Sequence, residues 1–174
     1  MSIRFRKART DDAEVIANLS NSAYRGDSSR VGWTTEADLL LGDRTDTGEI
    51  RELIQDAGSM FLLCFHQVAL VGSVYLQRNG DAAYLGLFVV DPQRQRAGIG
   101  TKFLAAAEAQ AKEDWSASTM TMSVISVREE LISYYERRGY FRTGETQPFP
   151  ENAGDSVPIV QGLEFAILEK VFKN

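Results

Sequence analysis

At 174 residues, 44% of them hydrophobic and 25% charged, the chain has ordinary globular composition and is long enough to bury a core without staples, which argues against disorder, collagen and coiled coil. Nineteen basic and twenty-four acidic side chains leave a net charge of −5, the wrong sign for a non-specific nucleic-acid binder. One cysteine (Cys64) and one histidine (His66) exclude an intrachain disulfide and a cysteine zinc cluster, and no partner motif for a His-based triad or metal site stands near either.

Residues 2–8 alternate through Ile3 and Phe5 and predict a first strand. A helix over about 11–24 follows, with Asp11 and Glu14 at cap-box spacing and Val15, Leu19 and Ala23 on one face. Residues 25–34 read as a loop. Thr35–Leu41 reads as a short helical piece ending at Gly42, and a further helix starts near Asp46, with Glu49 three residues on, and stops at Gly58. Met60–Phe65 is a buried strand, turned at His66-Gln67 into Val68–Gln77. Asn79-Gly80 turns that into Ala82–Val90, giving an antiparallel meander. Asp91–Gly100 is followed by a helix to about Glu113, with Ile99, Phe103, Ala107 and Ala111 as its stripe. Thr119–Ile125 alternates as a strand, with Met120, Met122 and Val124 on one face. Ser126-Val-Arg-Glu129 has capping-box spacing and opens a helix carrying Leu131, Ile132 and Tyr135 that ends at Gly139. Tyr140–Gly144 begins a strand, 147–162 is a loop, and Leu163–Phe172 is the last strand. The order predicts an α/β (or α+β) chain, a mixed sheet with helices on its faces, as one domain over residues 1–174. The amino terminus lacks the apolar core of a signal peptide and no apolar run reaches the ~18 residues of a membrane span, so the expectation is a cytoplasmic protein without a membrane partner.

The junction after Val90 carries the most information. A strand runs into Gln95-Arg-Ala-Gly98-Ile-Gly100, and a helix opens there without an acidic first turn. Its first N–H groups have no internal partner and the helix dipole adds positive potential, while glycines let a phosphate reach the backbone. Residues 92–107 hold Arg94, Arg96 and Lys102 and no acid, a +3 island in a chain of −5. The dinucleotide fingerprint fails because Phe103 stands at the third glycine position, and the Walker pattern fails at Gly100-Thr101-Lys102.

Gln95-x-x-Gly98-x-Gly100 resembles the Gln/Arg-x-x-Gly-x-Gly/Ala signature of the GNAT superfamily of acyl-CoA-dependent N-acetyltransferases. Leu87-Phe-Val-Val-Asp-Pro92 resembles that family's central strand, and Tyr134-Tyr-Glu-Arg-Arg-Gly-Tyr140, about forty residues on, its second signature, Tyr-x-x-x-Gly-Phe/Tyr. The element order agrees over nearly the whole chain. The resemblance implies a mixed, mostly antiparallel sheet of about seven strands flanked by about four helices, splayed between the fourth and fifth predicted strands, Ala82–Val90 and Thr119–Ile125. It implies acetyl-CoA (coenzyme A) as co-substrate and no metal. It places the pyrophosphate on Gln95, Arg96, Ala97, Gly98, Ile99, Gly100 and Thr101, and the pantetheine arm on Phe88, Val89 and Val90.

It further implies direct attack of an amine on the thioester in a ternary complex. The Val90 N–H is the oxyanion donor, and Tyr135, four residues before the glycine, is the acid for the leaving thiolate. A phenol of pKa ~10 and a thiol of ~8.5 suit that exchange. The chain departs from the family in two places. Arg128 stands where many members carry Asn, and Tyr84–Val90 lacks the frequent Glu base, leaving a water relay or an amine that arrives neutral.

Glu164, at the start of the last strand, is a candidate base, set against a plain solvated carboxylate. Cys64 reads as a core residue, and His66 as a surface residue remote from the motif. The resemblance implies that the segment after the first strand covers the acceptor side, which here is Tyr24, Arg25, Arg30, Trp33, Thr34, Glu36, Arg44 and Asp46, with Phe149 a candidate on the opposite lip. The partner implied is a small-molecule or peptide amine, with a homodimer through exposed strands or the late loop, and the negative remainder of the chain is expected to steer a cationic amine in. Two other readings stand beside this one: a non-catalytic acyl-CoA-binding sensor, and an acyltransferase with a different acyl donor or acceptor.

Overall fold

In the computed structural model, which describes residues 2–24, 40–94, 98–150, 157–159 and 161–173, the elements run β1 (Ile3–Lys7), α1 (Ala13–Tyr24), β2 (Leu40–Leu41), α2 (Thr47–Gln55), β3 (Ser59–His66), β4 (Ala69–Asn79) and β5 (Ala82–Val90). They continue as α3 (Ile99–Trp115), β6 (Thr119–Ile125), α4 (Glu129–Glu136), β7 (Phe141–Pro148), β8 (Val157–Pro158) and β9 (Glu164–Val171). Seven strands form one open sheet in the order β1-β3-β4-β5-β6-β9-β7, and β2 pairs with β8 apart from it. Among the described residues, β5–β6 is the one parallel pair. Among the described residues this is a mixed, mostly antiparallel seven-stranded sheet with four α-helices, as the resemblance implied. No helix among the described residues is long and apolar enough to cross a membrane.

The unbroken apolar run of β3 follows from burial on both faces. Phe61 and Leu63 point into a cluster with Ile16 of α1, Ile50 of α2 and Tyr75. Leu62 and Cys64 point the other way, into the larger core of Phe103, Leu104, Met120 and Ile132 under α3 and α4. Phe103 lies between the rings of Phe5 and Phe88, at 5.8 and 5.4 Å, and so ties α3 to β1 and β5. Truncating such a side chain to Ala costs about 3–5 kcal/mol.

The feature that makes a site possible is a bulge in β5. Gly86 opposes Tyr75 and Val89 opposes Ser73, so Leu87 and Phe88 together face Val74. Leu87 takes a left-handed φ of 47°. The extra residue flips the side-chain alternation: Ala83 and Leu85 enter the larger core before the bulge, Phe88 and Val90 after it. It also bends β5 from β6, whose pairing stops at Tyr84–Thr121. Beyond Tyr84 the two strands are splayed, as the resemblance implied.

Several local expectations are corrected. Leu40–Leu41 is not helical but pairs with Val157–Pro158, and the rest of the expected Thr35–Leu41 helix, residues 35–39, lies with the 25–34 loop outside the described residues. Residues 10–12 form a 3-10 turn in which the Asp12 carboxylate accepts from the Arg9 N–H at 2.7 Å, so α1 starts only at Ala13. Its buried face is Ala13, Ile16, Ala17, Ser20 and Ala23, and Val15 is 49% exposed. The Ser126–Glu129 capping box does not form: Arg128 is the N-cap residue of α4, with no side-chain cap, and its N–H bonds the Ile125 carbonyl. The Asp46 cap does form, accepting from Glu49 N–H at 2.8 Å.

Candidate active site

Where β5 and β6 part, a cavity of about 450 Å³ opens between β5, the start of α3, and α4. Its floor is the far end of β5. The Asp91 N–H bonds back to Val71 O at 2.8 Å, and Gly72 faces Val90. Because successive residues of a strand alternate their polar groups, the N–H and C=O of Phe88 and Val90 turn toward the splay, and those of Val89 toward β4. Val89 also lines the cavity. On the splayed side, the Tyr24 hydroxyl donates to the Phe88 carbonyl at 3.1 Å.

The end wall is the first turn of α3. Gly98 caps it in the left-handed region at φ 77°, which only glycine adopts without cost, and among the described residues nothing lies within 4 Å of a Cβ placed there. Ile99, expected from the sequence beside the phosphate, turns its side chain into the core and does not line the cavity. A Cβ at Gly100 would lie 2.9 Å from the Tyr134 hydroxyl. No acidic side chain stands in this turn. The N–H groups of an open helix start, bare of side chains, are an anion-binding arrangement.

The remaining wall is α4. Tyr135 is buried, its ring edge-on to Phe88, Tyr134 and Tyr140 at 6.5, 5.4 and 5.8 Å, and it lines the cavity. Among the described residues its hydroxyl has no hydrogen-bond partner. Burial drives its pKa well above the usual phenol value; Tyr24 and Tyr134 push the same way, and Arg128 and Arg138 oppose them. Tyr135 therefore stays protonated through the neutral range, the state from which an acid acts.

The cavity gathers Tyr24, Phe88, Val89, Val90, Gly98, Gly100, Thr101 and Tyr135 from the sequence-derived set. Gln95, Arg96 and Ala97, and on the acceptor side Arg25, Arg30, Trp33, Thr34 and Glu36, lie outside the described residues. Glu164 is not brought in: it is exposed at the start of β9, opposite Pro148, and does not line the cavity. His66 is less remote than expected, with Nδ1 3.4 Å from Nη1 of Arg94, in the turn that leaves β5. Sequence reasoning missed Ala23, Leu131, Tyr134, Arg137 and Arg138 as lining residues and marked Arg128 only as a departure. The signal for two of them was present, an Arg-Arg pair just before Gly139 in a chain of net negative charge. The described lining holds three arginines and no carboxylate, so the steering expected for a cationic amine finds no support in this wall.

An acetyltransferase (GNAT) domain family model matches residues 37–152. No curated protein matches the chain. Among solved structures, the ribosomal-protein-S18-alanine N-acetyltransferase of Escherichia coli is similar at 14% identity and TM-score 0.72, over 99% of this chain and 96% of that one. YncA of Salmonella typhimurium, solved with its cofactor acetyl-CoA, is similar at 18% identity and TM-score 0.70, over 100% and 96%. A spermidine N-acetyltransferase SpeG chimera from Vibrio cholerae and hSSAT is similar at 14% identity and TM-score 0.71, over 98% and 96%. At these identities the likeness is one of fold. With the family match over most of its length, the chain belongs to the GNAT acetyltransferases.

Proposed function

We propose that residues 1–174 are one acetyltransferase domain that moves an acetyl group from acetyl-CoA to a primary amine by direct attack in a ternary complex. The observation that carries this reading is the convergence, on one cavity, of the splayed β5 edge, the open glycine turn of α3 and the protonated Tyr135. The donor fits those residues. Its phosphates suit the N–H groups at Gly98–Thr101, and its amide arm suits the backbone groups of Phe88 and Val90, much as a peptide pairs with a strand edge. Solved neighbours carrying acetyl-CoA or coenzyme A support the choice of donor.

The amine nitrogen forms a bond to the thioester carbonyl carbon, and the carbon–sulfur bond breaks. The Val90 N–H, turned toward the splay, stabilises the oxygen that gains charge. The Tyr135 hydroxyl donates to the departing sulfur. No carboxylate or imidazole lines the cavity among the described residues, so the amine proton leaves through water. Neighbours named for a ribosomal-protein alanine and for spermidine support an amine acceptor, small or peptidic.

Calorimetric titration with acetyl-CoA, followed by thiol release across a panel of polyamines, amino acids and peptide amino termini, tests the proposal. Saturable donor binding and amine-dependent thiol release are the expected results. Binding with no turnover on any amine would favour the sensor reading, and no binding would end both.

A further inference from the structure

Two hydroxyls of the core stand out. Ser20 of α1 and Ser73 of β4 are both 0% exposed, and neither Oγ has a hydrogen-bond partner among the described residues. Ser20 does not bond back to its own helix, as Ser22 does to the Leu19 carbonyl at 2.9 Å. A buried hydroxyl has given up its hydration, and in folded proteins such groups are paired with protein or with an ordered water. Alanine, which α1 uses at Ala13, Ala17 and Ala23 on the same face, would bury no polar atom.

The two serines share one layer. Ser73 pairs with Leu63 on one side and Val89 on the other, and Leu63 belongs to the cluster that packs under α1 with Ile16 and Tyr75. Cross-strand partners point to the same face, so the Ser73 side chain enters the layer that α1 covers with its buried face, Ser20 included. That layer backs onto the cavity. Val89, the partner of Ser73, lines it, and so do Ala23 and Tyr24, three and four residues beyond Ser20 on the same helix. Ser73 is also the neighbour of Val74, which faces the bulge, and a bulge leaves backbone polar groups outside the ladder. Two hydroxyls beside such groups provide the two or more polar partners that hold a buried water. The ionisable groups on the elements around the pair are the phenols of Tyr24, Tyr75 and Tyr84, the exposed Glu49, and Arg6 with Asp12 at 2.8 Å. None of them bonds either serine.

We infer that Ser20 and Ser73 hold a buried water behind the wall of Val89 and Ala23, and that these oxygens form the relay through which the amine proton leaves. This inference rests on the acetyl-transfer reading and deepens it, because it gives a cavity without a carboxylate or imidazole a route for that proton. The proton passes from nitrogen to an oxygen of the chain, and each oxygen releases one proton as it accepts one, so both serines end neutral. An acceptor that arrives as an ammonium ion yields one proton to bulk water before it attacks. The proton that Tyr135 gives to the sulfur is replaced, through water, by the one the attacking nitrogen then loses.

The test is steady-state thiol release by the full chain between about pH 6.5 and 10, with whichever panel amine turns over fastest, for wild type, Ser20→Ala, Ser73→Ala and the double variant. Wild-type protein that acetylates no amine overturns the acetyl-transfer reading and this one with it. With wild-type turnover in hand, each single variant is expected to lose about tenfold in kcat/KM at about pH 7 and to recover to within about twofold at about pH 10, where an alkyl amine of pKa ~10 is about half neutral and needs no relay. Acetyl-CoA affinity should stay within about twofold. Because both serines serve one water, the double variant should lose no more than about twofold beyond either single one. Any of three results overturns the inference: unchanged activity in both single variants, a loss of equal size at every pH, as a purely structural defect gives, or losses that multiply in the double variant. If one single variant fails to fold, the other carries the same pH comparison.

Discussion

The phenol of Tyr24, the last residue of α1, donates a 3.1 Å hydrogen bond to the Phe88 carbonyl on the open side of β5. That carbonyl belongs to the bulge that parts β5 from β6, so one hydrogen bond joins the end of α1 to the edge on which the site is built. Tyr24→Phe keeps the ring and removes the bond. The expected result is a loss of about 1 kcal/mol in stability and a five- to tenfold fall in kcat/KM. Urea midpoints and steady-state thiol release check it, and unchanged kinetics would remove Tyr24 from the site.

Tyr135→Phe removes only the proposed acid. kcat is expected to fall by about 10²-fold while coenzyme A affinity stays within about twofold. The raised pKa sets the sign of the pH effect. A phenol held above its usual value of ~10 remains protonated at alkaline pH, so wild-type kcat should show no falling limb from Tyr135 between about pH 7 and 10. A Tyr135-dependent alkaline limb in the pH profile would refute this environment.

The glycines of the α3 turn separate strain from site blockage. Gly98→Ala meets nothing within 4 Å and should cost about 1–2 kcal/mol for its left-handed φ, with donor binding largely kept. Gly98→Glu adds a carboxylate where phosphate is proposed to lie, and donor binding should be lost. Gly100→Ala drives a Cβ against the Tyr134 hydroxyl, 2.9 Å away, and should weaken coenzyme A while melting temperature changes little. Equal donor affinity in all three variants would move the phosphate site elsewhere.

Under α3, Glu108 accepts from the Tyr140 hydroxyl at 2.9 Å and from Lys170 Nζ at 2.9 and 3.2 Å, and it is only 8% exposed. Glu108→Ala leaves the Lys170 ammonium and the Tyr140 hydroxyl without this acceptor. The expected cost is about 3 kcal/mol, read from the denaturant midpoint, with Glu108→Gln costing less because it still accepts from Tyr140. Since Tyr140 packs edge-on against Tyr135, kcat should fall with the Ala variant as well.

Burial pushes the Cys64 thiol up to about 11. At pH 8 roughly one thiol in a thousand is then ionised, so the native protein should react with a thiol-specific disulfide reagent far more slowly than the denatured chain. Comparable rates would show that Cys64 is accessible, contrary to its place in the core.

Much of this molecule was legible before folding. Strand and helix periods placed the meander, α3 with its Ile99–Phe103–Ala107–Ala111 stripe and the alternating β6 strand, because burial on one or both faces writes itself into residue order. The turn at Gly98–Gly100 was legible for the same local reason, since left-handed φ and side-chain-free N–H groups are properties of glycine itself. Local chemistry misled where tertiary contacts won. Ser126 had cap spacing, yet its N–H is taken by the Glu164 carbonyl across the sheet. Val15 looked like core until the Asp12–Arg9 turn delayed the start of α1.

Residue order placed the strands and helices of a mixed sheet, the glycine turn and the tyrosine before Gly139, each through short spacing. Packing in three dimensions set the bulge at Leu87 that turns the Phe88 and Val90 amides into the splay, kept Glu164 outside the cavity, and carried Arg138 from the end of α4 to Thr101. Those relationships join residues tens of positions apart, and their geometry depends on how strands diverge and helices pack, which no local spacing encodes.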